Sequence, residues 1–242
     1  WNWLANGAGS ANTAGSINST VSANTTAGMS IVKYQGTGAN ATVGHGLGSV
    51  PKMIIVKNAS GVHDWDVYHQ ALGNTKRIHL NTTGAENTGT HVWNSTTPTS
   101  SVFSVGTADN TNKSGSTMLA YCFADVQGYS KFGSYTGNGN ADGTFVYTGF
   151  KPAFVIYKKS SGTGDWVMAT NSILGYNQVD TQILANTSSP ETTNTAQSCD
   201  ILSNGFKLRG TQSNSNASGS TYIYMAFGQS IVGTNNVPAN AR

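Results

Sequence analysis

The chain has 242 residues, of which Gly, Ser, Thr and Asn together supply 111 and charged residues only 10%. A hydrophobic share of 37% is enough to bury a core, which excludes a charge-extended disordered chain. The net charge of +3 is small and scattered and there is no run of 18 apolar residues, so we expect neither nucleic-acid binding nor membrane insertion.

The first 29 residues consist mainly of Ala, Asn, Ser, Thr and Gly, with two tryptophans, Trp1 and Trp3. Their apolar residues show no clear period, so residues 1–29 are predicted to be a connecting arm. Because the chain starts at Trp1 rather than Met, we expect it to be a fragment or a processed product of a longer protein.

Short runs of β-branched and aromatic residues then recur about every 8–12 residues, bounded by Gly, Asn and Ser, which is typical of β-strands. Residues 30–128 contain predicted strands at Ile31–Tyr34, Lys52–Lys57, Trp65–His69, Arg77–Leu80, His91–Asn94, Val102–Val105 and Thr117–Ala124. Residues 129–232 contain them at Lys131–Tyr135, Phe145–Tyr147, Ala153–Lys158, Trp166–Ala169, Gln182–Leu184, Asp200–Leu202, Phe206–Arg209 and Thr221–Phe227. This density of strands predicts an all-β fold of β-sandwich or jelly-roll type, followed by a C-terminal tail over residues 233–242.

The two strand-rich segments resemble each other. The segment Pro51–Lys57 recurs as Pro152–Lys158, and Asp64-Trp65 recurs as Asp165-Trp166, both at an offset of 101 residues. Phe103 matches Phe206 at an offset of 103. Low-complexity sequence would not repeat Pro, Trp and Phe in order, so we predict two tandem β-sandwich repeats, residues 30–128 and 129–232, with small loop insertions.

Candidate hydrolytic chemistry is sparse. Glycoside hydrolysis needs a pair of placed carboxylates, but Glu86 and Glu191 both lie in polar loop stretches. Asp64 and Asp165 recur as Asp-Trp pairs, which favours a turn carboxylate beside a packed indole. The sequence therefore predicts that the chain is not an enzyme, with a glycan depolymerase kept as an alternative.

Two patterns could suggest a metal site. The segment His63-Asp64-Trp65-Asp66 with His69 holds four potential ligands, but strand geometry places the two aspartates and the two histidines on opposite faces. The segment Asn138–Gly143 resembles half a calcium loop, but its twelfth position is Gly149 rather than Glu. An Asx-rich hairpin turn explains it better, so no metal and no cofactor are predicted.

Glycan binding stays physically open, because it uses exposed aromatic rings together with amide and hydroxyl groups. Tyr68, His69 and Trp93 differ from their partners in the second repeat, which makes them candidates for a partner surface. Together with the recurring Trp65 and Trp166, they form the predicted ligand-binding set. Ordinary packing of these rings in a sandwich core is the competing interpretation.

Longer motifs resemble a known family. They are Trp1-Asn2-Trp3, Ala27-Gly28-Met29-Ser30-Ile31-Val32, the segments Val43–Gly48 and Pro51–Lys57, Trp65 with Tyr68-His69, Tyr121–Tyr135, Asn204–Arg209 and the end from Val237 to Arg242. These motifs, which cover nearly the whole chain, are similar to a family of marine bacteriophage structural proteins, an uncharacterised repeat domain of tail-fibre or virion proteins. No catalytic residue can be carried over from that resemblance. It also implies that the domain ends a longer chain, with Arg242 as its C-terminus.

The resemblance implies a virion protein, the C-terminal adhesion region of a tail fibre or capsid appendage. Its expected partners are further copies of itself, as a homotrimer, other virion proteins, and a glycan of the host surface. An architectural decoration or tail protein without a receptor site is one alternative, the depolymerase is another, and a secreted bacterial lectin module is a third.

Overall fold

A computed structural model of the chain describes residues 4–172, 177 and 179–228. The chain divides into two compact units after Val126, two residues before the boundary predicted from the sequence. Both units are built from antiparallel β-sheets, so the predicted all-β fold is confirmed. The predicted tail, residues 233–242, lies outside the described residues. No helix in the described part of the chain has the length and apolarity needed to cross a membrane.

The first unit contains ten strands and two helical turns. The strands are β1 (Ser10–Asn12), β2 (Ser19–Asn24), β3 (Met29–Gln35), β4 (Ala41–Gly44), β5 (Met53–Asn58), β6 (Asp66–His69), β7 (Lys76–His79), β8 (Asn87–Thr88), β9 (Val102–Val105) and β10 (Thr117–Phe123); the helices are α1 (Thr90–Trp93) and α2 (Asp109–Asn112). Eight strands form one sheet in the order β1-β2-β3-β10-β5-β6-β7-β8, and β4 pairs with β9.

The core of the first unit lies between these two sheets. Alternate residues of the large sheet, among them Val32, Ile54 and Ala120, pack with Val43 and Phe103 of the small sheet. Because side chains alternate across a strand, the intervening residues Lys33, Lys57 and Leu119 lie on the opposite, outer face. This outer face contains the candidate site described below.

The second unit contains nine strands and a short 3-10 turn at Thr195–Gln197. The strands are β11 (Ser130–Thr136), β12 (Phe145–Tyr147), β13 (Pro152–Lys159), β14 (Trp166–Thr170), β15 (Thr181–Leu184), β16 (Thr192–Thr193), β17 (Cys199–Leu202), β18 (Gly205–Leu208) and β19 (Thr221–Gly228). Six form a sheet in the order β11-β19-β13-β14-β15-β16, and three form β12-β18-β17. The core includes Tyr135, Tyr157 and Phe206.

The large sheets of the two units have the same order of corresponding strands. The first reads β3-β10-β5-β6-β7-β8 and the second reads β11-β19-β13-β14-β15-β16. A tandem duplication requires such a match. Its origin by duplication stays a prediction from the sequence offsets.

Residues 1–29 are not merely a connecting arm. Within them, β1 and β2 join the large sheet, and β2 pairs along β3 from Ser19↔Tyr34 to Asn24↔Met29. Ile17 and Val21 are buried in the core of the first unit. The prediction missed this because only two of the inward side chains, Ile17 and Val21, are large and apolar, whereas Ser19 and Ala23 are small.

The predicted strand His91–Asn94 is also wrong. Residues Thr90–Trp93 form α1, which ends at Asn94 in the left-handed conformation with φ 49°. The buried Trp93 indole donates its Nε1–H to the Lys76 carbonyl, 3.1 Å away, and this contact fixes the turn against the sheet. A β-rich composition cannot distinguish such a four-residue turn from a short strand.

Candidate functional site

Tyr68 and Trp93 do not form an exposed binding surface, contrary to the prediction. They are 3% and 2% exposed and pack edge to face, with ring centroids 5.9 Å apart. Both belong to the core of the first unit, so neither ring can stack on a sugar. The correction follows from α1, which turns Trp93 inward.

His69 and Trp166 are also buried. The Nδ1 atom of His69 lies 3.2 Å from the Ala71 amide, and the Trp166 amide donates to Asn186 Oδ1 at 2.8 Å. Both residues therefore have structural contacts in their own units. Four of the five predicted ligand-binding residues are thus buried in the folded chain.

Trp65 alone keeps a partly exposed ring. It stacks on Tyr121 of β10, with centroids 6.4 Å apart and planes 18° apart. Lys57 Nζ lies 5.8 Å from the centroid of the indole, within the range of a cation–π contact, and donates a hydrogen bond to the His63 carbonyl. Trp65 and Tyr121 therefore form a preorganised aromatic pair on the outer face.

The aspartates beside the two tryptophans have the same structural task. Asn81 donates its amide to Asp64 Oδ1 at 2.8 Å and accepts the Trp65 N–H at 2.9 Å. In the second unit, Asn186 makes the equivalent pair of bonds with Asp165 and Trp166, at 2.8 Å each. In each unit the carboxylate therefore fixes a turn through these hydrogen bonds. This favours a structural role for Asp64 and Asp165 over a role as a hydrolytic acid–base pair.

The four potential metal ligands near Trp65 do not converge on a common point. His63 Nδ1 lies 3.2 Å from Asn110 Oδ1, whereas Asp66 is buried and contacts Arg77 and His79 at 3.3 and 3.1 Å. The described residues contain no group of three or more His, Cys, Asp or Glu side chains that could hold a metal ion.

The calcium-like segment is an Asx-rich turn rather than the predicted hairpin, because it joins β11 and β12, which pair with β19 and β18 and not with each other. The Asn138 and Asn140 side chains accept the N–H groups of Asn140 and Asp142, at 3.0 and 2.9 Å, as in Asx turns. Asp142 pairs with Lys207 at 2.6 Å and with Arg209 at 3.4 Å. The hydrogen bond from Lys207 and its positive charge hold the pKa of Asp142 below its usual value.

A polar cleft of about 310 Å³ opens beside the outer face of the first unit. Its eight described lining residues are Ala11, Asn18, Ser19, Thr20, Lys33, Tyr34, Gln35 and Thr117, and Lys33 alone among them is charged. They come from β1, β2, β3 and β10 and from the residue before β2. Residues 1–29, which were predicted to be a connecting arm, therefore supply four of the eight lining residues.

The groups in the cleft differ in their availability. Tyr34 belongs to the core, donates its hydroxyl to the Thr111 carbonyl at 2.6 Å and has a pKa raised well above the usual value by burial, so its side chain offers neither charge nor a free hydroxyl to the cleft. Gln35 donates to the Gly115 carbonyl at 2.9 Å and keeps its side-chain oxygen for an additional donor. Lys33 and Thr20, directly opposite each other on β3 and β2, are both exposed.

The cleft and the aromatic pair share one face. Along the outer face, Lys33 lies opposite Leu119, which lies opposite Lys57, and the next row contains Tyr121. The strands β1, β2, β3, β10 and β5 contain no Asp or Glu. The arrangement therefore offers hydroxyl, amide and ammonium groups next to an aromatic pair, which suits a polyhydroxylated and uncharged or anionic ligand.

Sequence reasoning missed Lys33, Gln35 and Tyr121. Their signal was the strand alternation itself, since each lies at an outward position between buried neighbours. That signal gives the face but does not distinguish a functional face from a solvated one.

A family model described as a domain of unknown function (DUF7483) matches residues 1–230. No curated protein and no solved structure matches the chain significantly.

Proposed function

The chain belongs to the DUF7483 family of domains, and we propose that it is a bacteriophage virion protein that binds a glycan of the host cell surface. The observation that carries the proposal is the polar cleft, whose side chains can donate and accept hydrogen bonds with sugar hydroxyls. The resemblance to phage structural proteins supplies the virion context.

Several features support an adhesive rather than a catalytic role. The cleft contains no carboxylate among its described lining residues. Asp64 and Asp165, which are equivalent residues of the two units, each stabilise a turn. A shallow site on a β-sheet face gives weak single-site affinity, which repeated copies in a particle would compensate. We therefore propose a homotrimeric appendage in contact with other virion proteins.

The purely architectural alternative has an observation in its favour. Four of the five aromatic and histidine residues first expected to bind sugar are buried and contribute to packing. In that case the chain would be a decoration or tail component without a receptor site. The test of adhesion must therefore distinguish glycan binding from attachment to the particle.

The proposal is tested with the fluorescently labelled 242-residue chain on a panel of marine bacterial isolates, measured by flow cytometry. We expect binding to some isolates and its loss after periodate oxidation of vicinal diols on the cells. Lys33→Ala and Gln35→Ala should each weaken that binding by about tenfold, the effect of one hydrogen bond to a charged or polar partner.

Lys76→Ala is the matched control, because it removes the same charge at a position away from the cleft. Lys76 lies on β7 and forms an ion pair with Glu86. Equal losses in Lys33→Ala and Lys76→Ala, or binding that survives periodate, would exclude the cleft as a glycan site. Labelling of phage particles by an antibody to the chain, with no cell binding, would favour the architectural role.

A further inference from the structure

In the first unit, one side of the sandwich is closed by the segment that precedes β3. Strand β2 pairs along the whole of β3, with Thr20 opposite Lys33. Just before β2, Ile17 forms a bridge with Val43 of β4, and the Ser16 amide donates to Thr42 Oγ1 at 2.9 Å. The same segment therefore covers the edges of both sheets.

In the second unit, β11 has the position of β3 but is an edge strand among the described residues. The Gly137 N–H donates to the Ser220 carbonyl, 2.9 Å away, after the end of β11. Because hydrogen-bonding directions alternate along an antiparallel strand, Tyr135 also faces β19, and the backbone groups of Ser134 and Thr136 point away from the sheet.

These outward groups are largely unused. Within the described part of the chain, the Ser134 N–H and C=O and the Thr136 N–H have no hydrogen-bond partner, whereas the Thr136 carbonyl accepts from Thr144 Oγ1 at 2.7 Å. Ser134 and Thr136 are both exposed. Such a row of donors and acceptors is a template for an additional strand.

The second sheet of this unit is open on the same side. Strand β12 corresponds to β4, because Val146 pairs with Phe206 as Val43 pairs with Phe103. The residues on either side of Val146 are Phe145 and Tyr147, which are 44% and 65% exposed. They stand where the first unit has Thr42, which bonds Ser16 just before β2, and Gly44, whose carbonyl accepts a hydrogen bond from Ser19 of β2 at 3.0 Å.

We propose that this open side of the second unit, formed by Ser134 and Thr136 on the outer edge of β11 and by the aromatic residues of β12, binds an extended polypeptide strand from another protein chain. The occupant of the equivalent side in the first unit supplies the argument for its chemistry. That occupant, Ile17–Asn24, is extended and uncharged, and it points apolar Ile17 and Val21 into the core. The incoming strand would add to β11 by backbone hydrogen bonds, and those of its side chains that face away from the core would pack on Phe145 and Tyr147, which flank the core residue Val146.

The two sides are not identical, and the difference selects the partner. In the first unit Gly44 lets Asn12 approach, since a Cβ at this position would overlap the Asn12 side chain. Tyr147 occupies that place in the second unit. An incoming strand therefore packs on the tyrosine ring instead of repeating the Asn12 contact, which favours a bulkier apolar residue in the partner.

The test uses the full chain, labelled with ¹⁵N, and a synthetic peptide with the sequence of residues 17–24, followed by amide NMR. We expect saturable shifts at the amides of Ser134, Thr136, Phe145 and Tyr147, because this peptide carries the strand that closes the equivalent side. A peptide with Val21→Pro, which cannot continue a strand ladder, is the matched control and should bind at least about tenfold more weakly.

Two protein variants separate the backbone and aromatic contributions. Ser134→Pro removes an outward N–H that the folded chain does not use, and Tyr147→Ser removes one aromatic surface; each should reduce peptide binding at least about fivefold while the remaining spectrum is retained. Shifts that leave the β11 and β12 amides unaffected would overturn the proposal. Slow hydrogen exchange at Ser134 and Thr136 in the chain alone would also overturn it, because the edge would then be paired already.

Discussion

Asn112 and Asn216 are fully buried asparagines that fix equivalent loops in the two units. Asn112 donates its amide to the carbonyls of Ala39 and Gly106, at 2.6 and 2.7 Å, and accepts the Thr37 N–H at 2.8 Å. Asn216 likewise donates to the carbonyls of Asn140 and Gly210, both at 2.9 Å. A side chain that satisfies three backbone groups in the interior cannot be removed without leaving them unpaired.

We expect Asn112→Ala to lower the free energy of unfolding by about 2–4 kcal/mol, because two buried carbonyls and one N–H lose their partner. Urea unfolding followed by fluorescence measures the effect. Asn40→Ala is the control, since Asn40 is exposed, and its effect should stay within about 0.5 kcal/mol. Equal stabilities for the two variants would mean that water replaces the Asn112 amide.

Lys158 gives a second prediction at the residue scale. It is buried, and its Nζ donates to the Lys159 carbonyl at 2.9 Å. Desolvation by burial lowers its pKa from 10.5 to about 8, although the charge of Asp165 acts in the opposite direction. Between pH 8 and pH 10.5 the unfolded chain therefore binds more protons at this residue than the folded chain, and the contribution of Lys158 to stability rises with pH.

The comparison of wild type with Lys158→Met isolates this contribution, because all other titrating groups are shared. The difference in free energy of unfolding should be constant below about pH 7 and should shift in favour of the wild type as the pH rises from 8 toward 10.5. Urea unfolding of both proteins at one-unit pH steps measures it. A difference independent of pH would mean that Lys158 has a normal pKa in the folded chain.

The aromatic residues show where sequence reasoning about the site ends. Trp65 and Trp166 follow equivalent aspartates and donate equivalent backbone hydrogen bonds to an asparagine, yet Trp65 is partly exposed and Trp166 is 1% exposed. Strand alternation places a residue on a face, but which face is covered depends on what packs there. The recurrence of Asp64 and Asp165 beside tryptophan predicted their turn role, but the sequence did not identify their partners Asn81 and Asn186, which lie 17 and 21 residues further along the chain.

At the scale of elements, the apolar strands were predicted well and the polar ones were not. The continuous apolar run in β13 and the recurring strand β5 lie where the sequence placed them. Strands β1, β2, β4, β8 and β16 were missed because backbone pairing with a neighbour, rather than their own apolar pattern, holds them in the sheet. β-propensity is set largely by such context.

The contrast between β3 and β11 leads to a matched pair of substitutions. The Gly36 N–H donates to the Ser116 carbonyl, so by alternation the Lys33 N–H points toward β2, whereas the equivalent Ser134 N–H points away from its sheet. Proline removes the N–H in both cases. We expect Lys33→Pro to lower the free energy of unfolding by at least about 2 kcal/mol and Ser134→Pro to change it by less than about 1 kcal/mol.

Thermal or urea unfolding of the two variants measures this contrast, with Lys33→Ala and Ser134→Ala as controls for loss of the side chains. A large loss of stability in Ser134→Pro would show that the β11 edge is paired within the chain. The proposed strand-binding site would then have to be abandoned, whereas the glycan proposal would not be affected.

At the scale of the whole molecule, the two units share a strand order but present different edges. Both keep a buried tyrosine whose hydroxyl donates to a loop carbonyl, Tyr34 to Thr111 at 2.6 Å and Tyr135 to Ser215 at 2.8 Å. The cleft exists where β1 and β2 extend the first unit, and the open edge exists where the second unit has no such strands among its described residues. One architecture thus presents two different surfaces.

The number of copies in the assembly should then decide the strength of adhesion. A shallow polar cleft with one ammonium group loses much of its hydrogen-bonding energy to competing water, so a single chain is expected to bind cells weakly. Three clefts that face the cell on one trimer would raise the retention of the protein on cells by about 10²–10⁴, provided that the spacing of the clefts matches that of neighbouring glycans. Light scattering coupled to size exclusion gives the oligomeric state of the chain, for which we expect a trimer. Retention of the chain on intact cells, compared above and below the concentration at which the trimer dissociates, measures this gain. Equal retention of monomer and trimer would mean that one cleft suffices and that avidity plays no part.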